Sequence, residues 1–98
     1  MSELAPTVFT VVLRVRLDMD TSREHRQSII EEYLVTEYRE LPGFHVATWM
    51  NDGEGTGLCV IEFDSEEHAR EAVPAVTPHG GPEFVEWGVY SVEFEASA

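Results

Sequence analysis

A chain of 98 residues makes one domain, and its net charge of −13, nineteen acids against six arginines and no lysine, lacks the clustered cations that nucleic acid and anionic membranes require. A hydrophobic content of 43% with ten aromatics excludes a disordered chain and predicts a packed core over roughly residues 6–96. Cys59 is the sole cysteine, so neither an intramolecular disulfide nor a thiolate metal cage can form.

The first element runs from Thr7 to Leu17. Phe9, Val11, Leu13, Val15 and Leu17 recur at the strand period, while Val8, Thr10 and Val12 make the opposite face apolar until Arg14 and Arg16. A central strand covered on both sides over its first half is expected. Thr21-Ser22-Arg23-Glu24 then has the spacing of a capping box, and Ile30, Tyr33, Leu34, Tyr38 and Leu41 follow at helical spacing among glutamates. Pro42-Gly43 ends that helix.

Phe44 to Asn51 alternates as a second strand, with Phe44, Val46, Thr48 and Met50 on one face and His45, Ala47, Trp49 and Asn51 on the other. Asp52-Gly53-Glu54-Gly55 predicts a turn into the apolar run Thr56–Phe63, giving an antiparallel hairpin. Asp64-Ser65-Glu66-Glu67 caps a second helix whose stripe is Ala69, Ala72, Val73 and Val76, shortened or kinked at Pro74. After the loop Thr77–Pro82, Glu83 to Glu95 predicts a strand of up to thirteen residues.

Strand, helix, strand, strand, helix, strand is the split βαβ order, which predicts an α+β, ferredoxin-like fold with both helices on one face of a four-stranded antiparallel sheet. The other face would be an apolar patch that marks an interface, and a second copy packed sheet to sheet would bury it. Neither a leader-like start nor the ~20 apolar residues of a membrane helix is found, which predicts a cytoplasmic protein.

Pro42-Gly43-Phe44, the run Glu62-Phe63-Asp64-Ser65-Glu66-Glu67-His68-Ala69-Arg70 and Val89-Tyr90-Ser91-Val92 together resemble the dimeric α/β-barrel superfamily, which includes antibiotic biosynthesis monooxygenase domains and stress-responsive barrel proteins. The resemblance spans nearly the whole chain, through motifs that mark turns and caps. It implies a homodimer whose two sheets form a barrel, with a ligand cleft between sheet and helices. Several members oxidise aromatic substrates with oxygen and no cofactor, and others bind or degrade haem. Against the haem-degrading branch, this chain has Phe63 where that branch has tryptophan, no histidine after His68 in the second helix, and no asparagine between Thr7 and Leu17. The expectation is therefore no cofactor.

The candidate ligand-binding residues are Tyr33, His45, Trp49 and His79, with His79 the best candidate for proton chemistry because it sits in a Gly/Pro loop that can rim a cleft. The alternative for His79 is a solvated turn histidine. His45 and Trp49 would line either the barrel interior or the cleft, or simply pack an interface. Tyr33 is placed on the sheet-facing side of the first helix, as a donor to a ligand or as a core tyrosine with its hydroxyl at the rim. Arg14 and Arg16 would hold a carboxylate or phenolate, or pair across the sheet with Glu62 or Glu93. Cys59 is read as a small buried hydrophobe, His25 as solvated, and no histidine pair has metal-ligand spacing, so no metal is expected.

Glycine-rich Gly53–Gly57 joins two strands and opens no helix, so it cannot cradle phosphate, and no nucleophile motif is present. Two functions follow from these residues. One is a small-molecule enzyme, a cofactor-independent oxygenase or isomerase, with Tyr33, Trp49 and His79 orienting an aromatic or apolar substrate. The other is a non-catalytic dimeric accessory or stress-related protein with a packed interior. An apolar cavity of ~300 Å³ or more between helices and sheet, with His79 or Tyr33 at its wall, would favour the first, and a fully packed interior the second.

Overall fold

The structure is a computed structural model that describes residues 8–17, 20, 22–76 and 83–93, of which 83–85 by backbone alone. The first strand, β1 (Phe9–Arg16), lies inside the sheet between β3 (Thr56–Phe63) and β4 (Glu83–Ser91), with β2 (Phe44–Asn51) beyond β3. All three pairings are antiparallel, and the order β2-β3-β1-β4 is that of a ferredoxin-like fold. β4 is nine residues long and ends at Ser91, shorter than the strand predicted to reach Glu95: Val92 and Glu93 are no longer strand, and residues 94 and 95 lie outside those described.

Register explains the core. Val11 stands opposite Ile61 and Val89, and Leu13 opposite Cys59 and Trp87, and directly opposed side chains share a face. On that face Val11, Leu13, Ile61 and Phe63 are at most 2% exposed, and they pack with Tyr38 and with Ala69, Ala72 and Val76. The three small residues lie on α3 (Glu66–Val76), and their short side chains let this helix settle onto β1. Ser65 caps it by accepting a hydrogen bond from the His68 amide at 3.1 Å, and the helix continues two residues past Pro74.

The first helical stretch departs from a uniform helix. It consists of α1 (Arg23–Ile29), a π-helical segment (Ile30–Leu34) and α2 (Val35–Arg39). Ser22 is the N-cap, its hydroxyl accepting from the His25 amide at 3.1 Å, whereas the capping residue expected from sequence was Thr21, which lies outside the described residues. In the π-helical segment the Val35 amide donates to the Ile30 carbonyl, five residues back. The wider turn rotates Tyr33 outward, where it is 62% exposed, while Leu34 and Tyr38 keep the inner side. Tyr33 is thus not on the sheet-facing side that α-helical spacing places it on.

A second irregularity settles the faces of β2. Phe44 pairs with Phe63 and Val46 with Glu62, so His45 is the extra residue of a β-bulge. The bulge puts Phe44, Ala47 and Trp49 together on the helix-covered face, and Val46, Thr48 and Met50 on the other, where plain alternation put Phe44 with Val46. The β2–β3 hairpin closes as expected. Asp52 accepts at Oδ1 from the Glu54 and Thr56 amides at 2.7 and 3.1 Å, and Gly53 and Gly55 take positive φ.

The face of the sheet away from the helices exposes Val46, Met50, Leu58 and Tyr90, at 37–58% of their surface. The Tyr90 ring lies across Gly88, where an added Cβ would come within 2.8 Å of it, so the aromatic ring fills the place of the missing side chain. Arg14 does not reach Glu62 or Glu93; it pairs with Glu86 at 2.8 Å, the residue directly opposite on β4. Among the described residues no helix is long and apolar enough to cross a membrane.

Candidate functional site

β1 ends at Arg16, and Leu17, whose amide donates to the Gly55 carbonyl at 2.8 Å, leads away from the sheet at the hairpin end. The first helical stretch returns over β3 and β2 and borders an open cleft of about 430 Å³ between itself and the sheet. Its floor is formed by Val15, Leu17, Gly57, Cys59 and Trp49, and its helical wall by Arg23, Arg26, Gln27, Ile30, Glu31 and Val35. A volume near 430 Å³ falls within the ~300–1,000 Å³ of small-molecule sites.

Two local features keep this space open. Gly57 is buried beneath Leu17 and Val15, and an added Cβ there would lie 3.1–3.2 Å from their side chains. A side chain at that end of the floor would require Leu17 and Val15 to shift by a few tenths of an ångström. On the helical wall the five-residue turn brings Ile30 and Val35 to the same side, and both border the cleft.

Trp49 is held from behind. Its ring stacks on Tyr38 at 5.7 Å between centroids and 18° between planes, while Tyr38 meets Phe44 edge-on at 6.3 Å. Tyr38 is 3% exposed, and its hydroxyl donates to the Val76 carbonyl at 3.4 Å, tying α2 to the end of α3. Burial drives the Tyr38 phenol well above its usual range, so it remains a donor. Burial likewise pushes the Cys59 thiol up to about 12, which leaves it protonated and a poor nucleophile at neutral pH.

Of the sequence-predicted ligand-binding residues among those described, Trp49 alone borders the cleft. Tyr33 faces away from it, and His45 is exposed on the β2 bulge. His79 lies outside the described residues. Arg23, Arg26, Ile30 and Val35 were missed by the sequence reading. The first three recur at helical spacing, a signal in the sequence, but the inward turn of Val35 depends on the π-helical segment, which has no such signature.

A second titratable group stands apart from the cleft. His68 Nδ1 and Asp64 Oδ1 are 2.6 Å apart at the start of α3, and Asp64 donates its amide to the Gly43 carbonyl at 2.9 Å. The hydrogen bond to Asp64 raises the His68 pKa above the usual histidine range, and the same bond holds the Asp64 carboxyl below the usual carboxylate range, with a smaller contribution from nearby His45. Gly43, at φ +76°, packs against both groups. This pair joins two turns, and no group of three or more potential metal ligands occurs among the described residues.

Comparison of the chain with protein-family models and with curated proteins gives no match.

Proposed function

We propose that the protein is a small-molecule-binding homodimer of the dimeric α/β-barrel type, which takes an apolar or aromatic ligand into the cleft between the first helical stretch and the sheet. The observation that carries this reading is the cleft itself, about 430 Å³ with Trp49 stacked on Tyr38 in its floor beside Val15 and Cys59, facing Ile30 and Val35 of the helical wall. A ring held in place by Tyr38 offers a flat apolar surface without a further entropy cost on binding.

Binding is favoured over turnover by the described groups that border the cleft. The titratable ones are Arg23, Arg26, Glu31 and Cys59, and the thiol is held protonated. Dimerisation is supported by the bare sheet face. Val46, Met50, Leu58 and Tyr90 stand on its β2–β3 half and on β4, and the charge of Arg14 there is matched by Glu86. Two such faces have apolar surface to bury and few unmatched charges to desolvate.

Thermal-shift measurements against a panel of neutral and charged naphthalene derivatives test the ligand reading. Stabilisation that rises with ligand concentration and is lost in Trp49→Ser is expected; no stabilisation by any member would refute it.

A further inference from the structure

The helical wall of the cleft is graded. Arg23, Arg26 and Ile30 recur along one side of the helix, over about 10 Å of rise, so the wall is cationic where the helix begins and apolar towards Ile30 and Val35. Two of the six arginines in a chain of net charge −13 border this one cleft. Arg14 and Arg70 are spent on Glu86 and Glu66 at 2.8 and 2.7 Å, and Arg26 has an interaction of its own, whereas Arg23 enters no ion pair with any described residue. Both cleft arginines sit on helical backbone, which fixes where their stems start.

We infer that this end of the cleft is an anion subsite, in which Arg23 and Arg26 receive the carboxylate of a small apolar monocarboxylic acid whose body lies along Trp49 and Ile30. This rests on the cleft being a ligand site, as proposed above. A guanidinium presents parallel N–H donors that match the two oxygens of a carboxylate. The remaining polar groups of the wall set the limits on charge. Glu31, one turn beyond Arg26–Gln27, is engaged by the Gln27 amide, which donates to its Oε1 at 2.9 Å. A second anionic group on the ligand would meet this carboxylate, and a dianion would cost more to desolvate against the apolar floor. Nineteen acids repel anions at long range, so a preference for an anion has to come from these two side chains.

The experiment is isothermal titration calorimetry of naphthalene-2-carboxylate and its neutral isostere naphthalene-2-carboxamide at ~0.15 M salt, with the unaltered protein, Arg23→Gln and Arg26→Gln. The carboxylate should bind about tenfold more tightly than the amide, and each substitution should weaken the carboxylate about five- to tenfold while leaving the amide unchanged. Both substitutions replace side chains outside the core, and circular dichroism checks that the fold is kept. Equal binding of acid and amide, indifferent to both substitutions, would overturn the anion subsite and leave the cleft as a ligand site. Binding of neither probe would overturn both.

Discussion

Tyr38 is the side chain on which the first helical stretch, the end of α3 and the Trp49 ring of the cleft floor converge, and its two kinds of contact differ in what their loss should cost. Truncation to alanine removes a ring that is 3% exposed, its stack on Trp49 and its edge contact with Phe44. Large aromatic-to-alanine changes in cores cost about 3–5 kcal/mol, a large share of the ~5–15 kcal/mol that a domain has in total. Tyr38→Phe keeps the ring and deletes only the hydroxyl, whose bond to the Val76 carbonyl is long at 3.4 Å. A net hydrogen bond is worth about 0.5–1.5 kcal/mol, and this length puts the cost near the lower end. Urea unfolding at one fixed protein concentration, followed by circular dichroism, reads both variants without confusing stability with association. A Tyr38→Phe cost equal to that of Tyr38→Ala would show that the hydroxyl, and not the ring, holds α2 on the sheet. A Tyr38→Ala cost below ~1 kcal/mol would show that the ring is not packed as described.

Three further outcomes follow. Gly43→Ala should lower the melting temperature and disrupt the Asp64–His68 pair, because the residue has φ +76° and an added Cβ would overlap both partners; an unchanged melting temperature would contradict the turn geometry. The pair itself should show in pH dependence: the raised His68 pKa contributes stability below the unfolded histidine value of ~6.5, lost as pH rises through the folded value, and the lowered Asp64 pKa contributes above ~3.9, lost as pH falls through its folded value. The melting-temperature difference between the unaltered protein and His68→Gln should therefore be largest between about pH 4 and 6.5 and shrink on either side, and a flat difference would refute the coupling. Leu58→Asp, on the face away from the helices, should convert a dimer to a monomer in sedimentation equilibrium with the fold kept, and a monomeric unaltered protein would refute association through that face.

Much of this architecture was legible because β1 repeats its apolar pattern without interruption from Phe9 to Val15 and because Pro42-Gly43 and Asp52–Gly55 place glycines where the turns take positive φ. The order of elements and the core residues Val11, Leu13, Tyr38, Ala69, Ala72 and Val76 follow from period alone. The site was less legible, because two one-residue irregularities decide it. The bulge at His45 reverses which side chains of β2 accompany Phe44, and the π-helical segment exchanges Tyr33 for Val35 on the inner side. Periodicity assumes a constant repeat, so an inserted residue inverts the faces beyond it without leaving a mark in composition. Arg23 and Arg26 were passed over because arginine at the start of a helix reads as surface, and only the return of that helix over β3 and β2 gives them an apolar floor to face.

The most direct test of the cleft as a ligand site is an amide chemical-shift map of the isotope-labelled protein titrated with naphthalene-2-carboxylate. Saturable shifts confined to residues 23–35, Val15, Leu17, Trp49–Asn51 and Gly57–Cys59 are expected, with the Trp49 indole among the largest. Shifts centred on Val46, Thr48 and Tyr90, or none at millimolar probe, would contradict this.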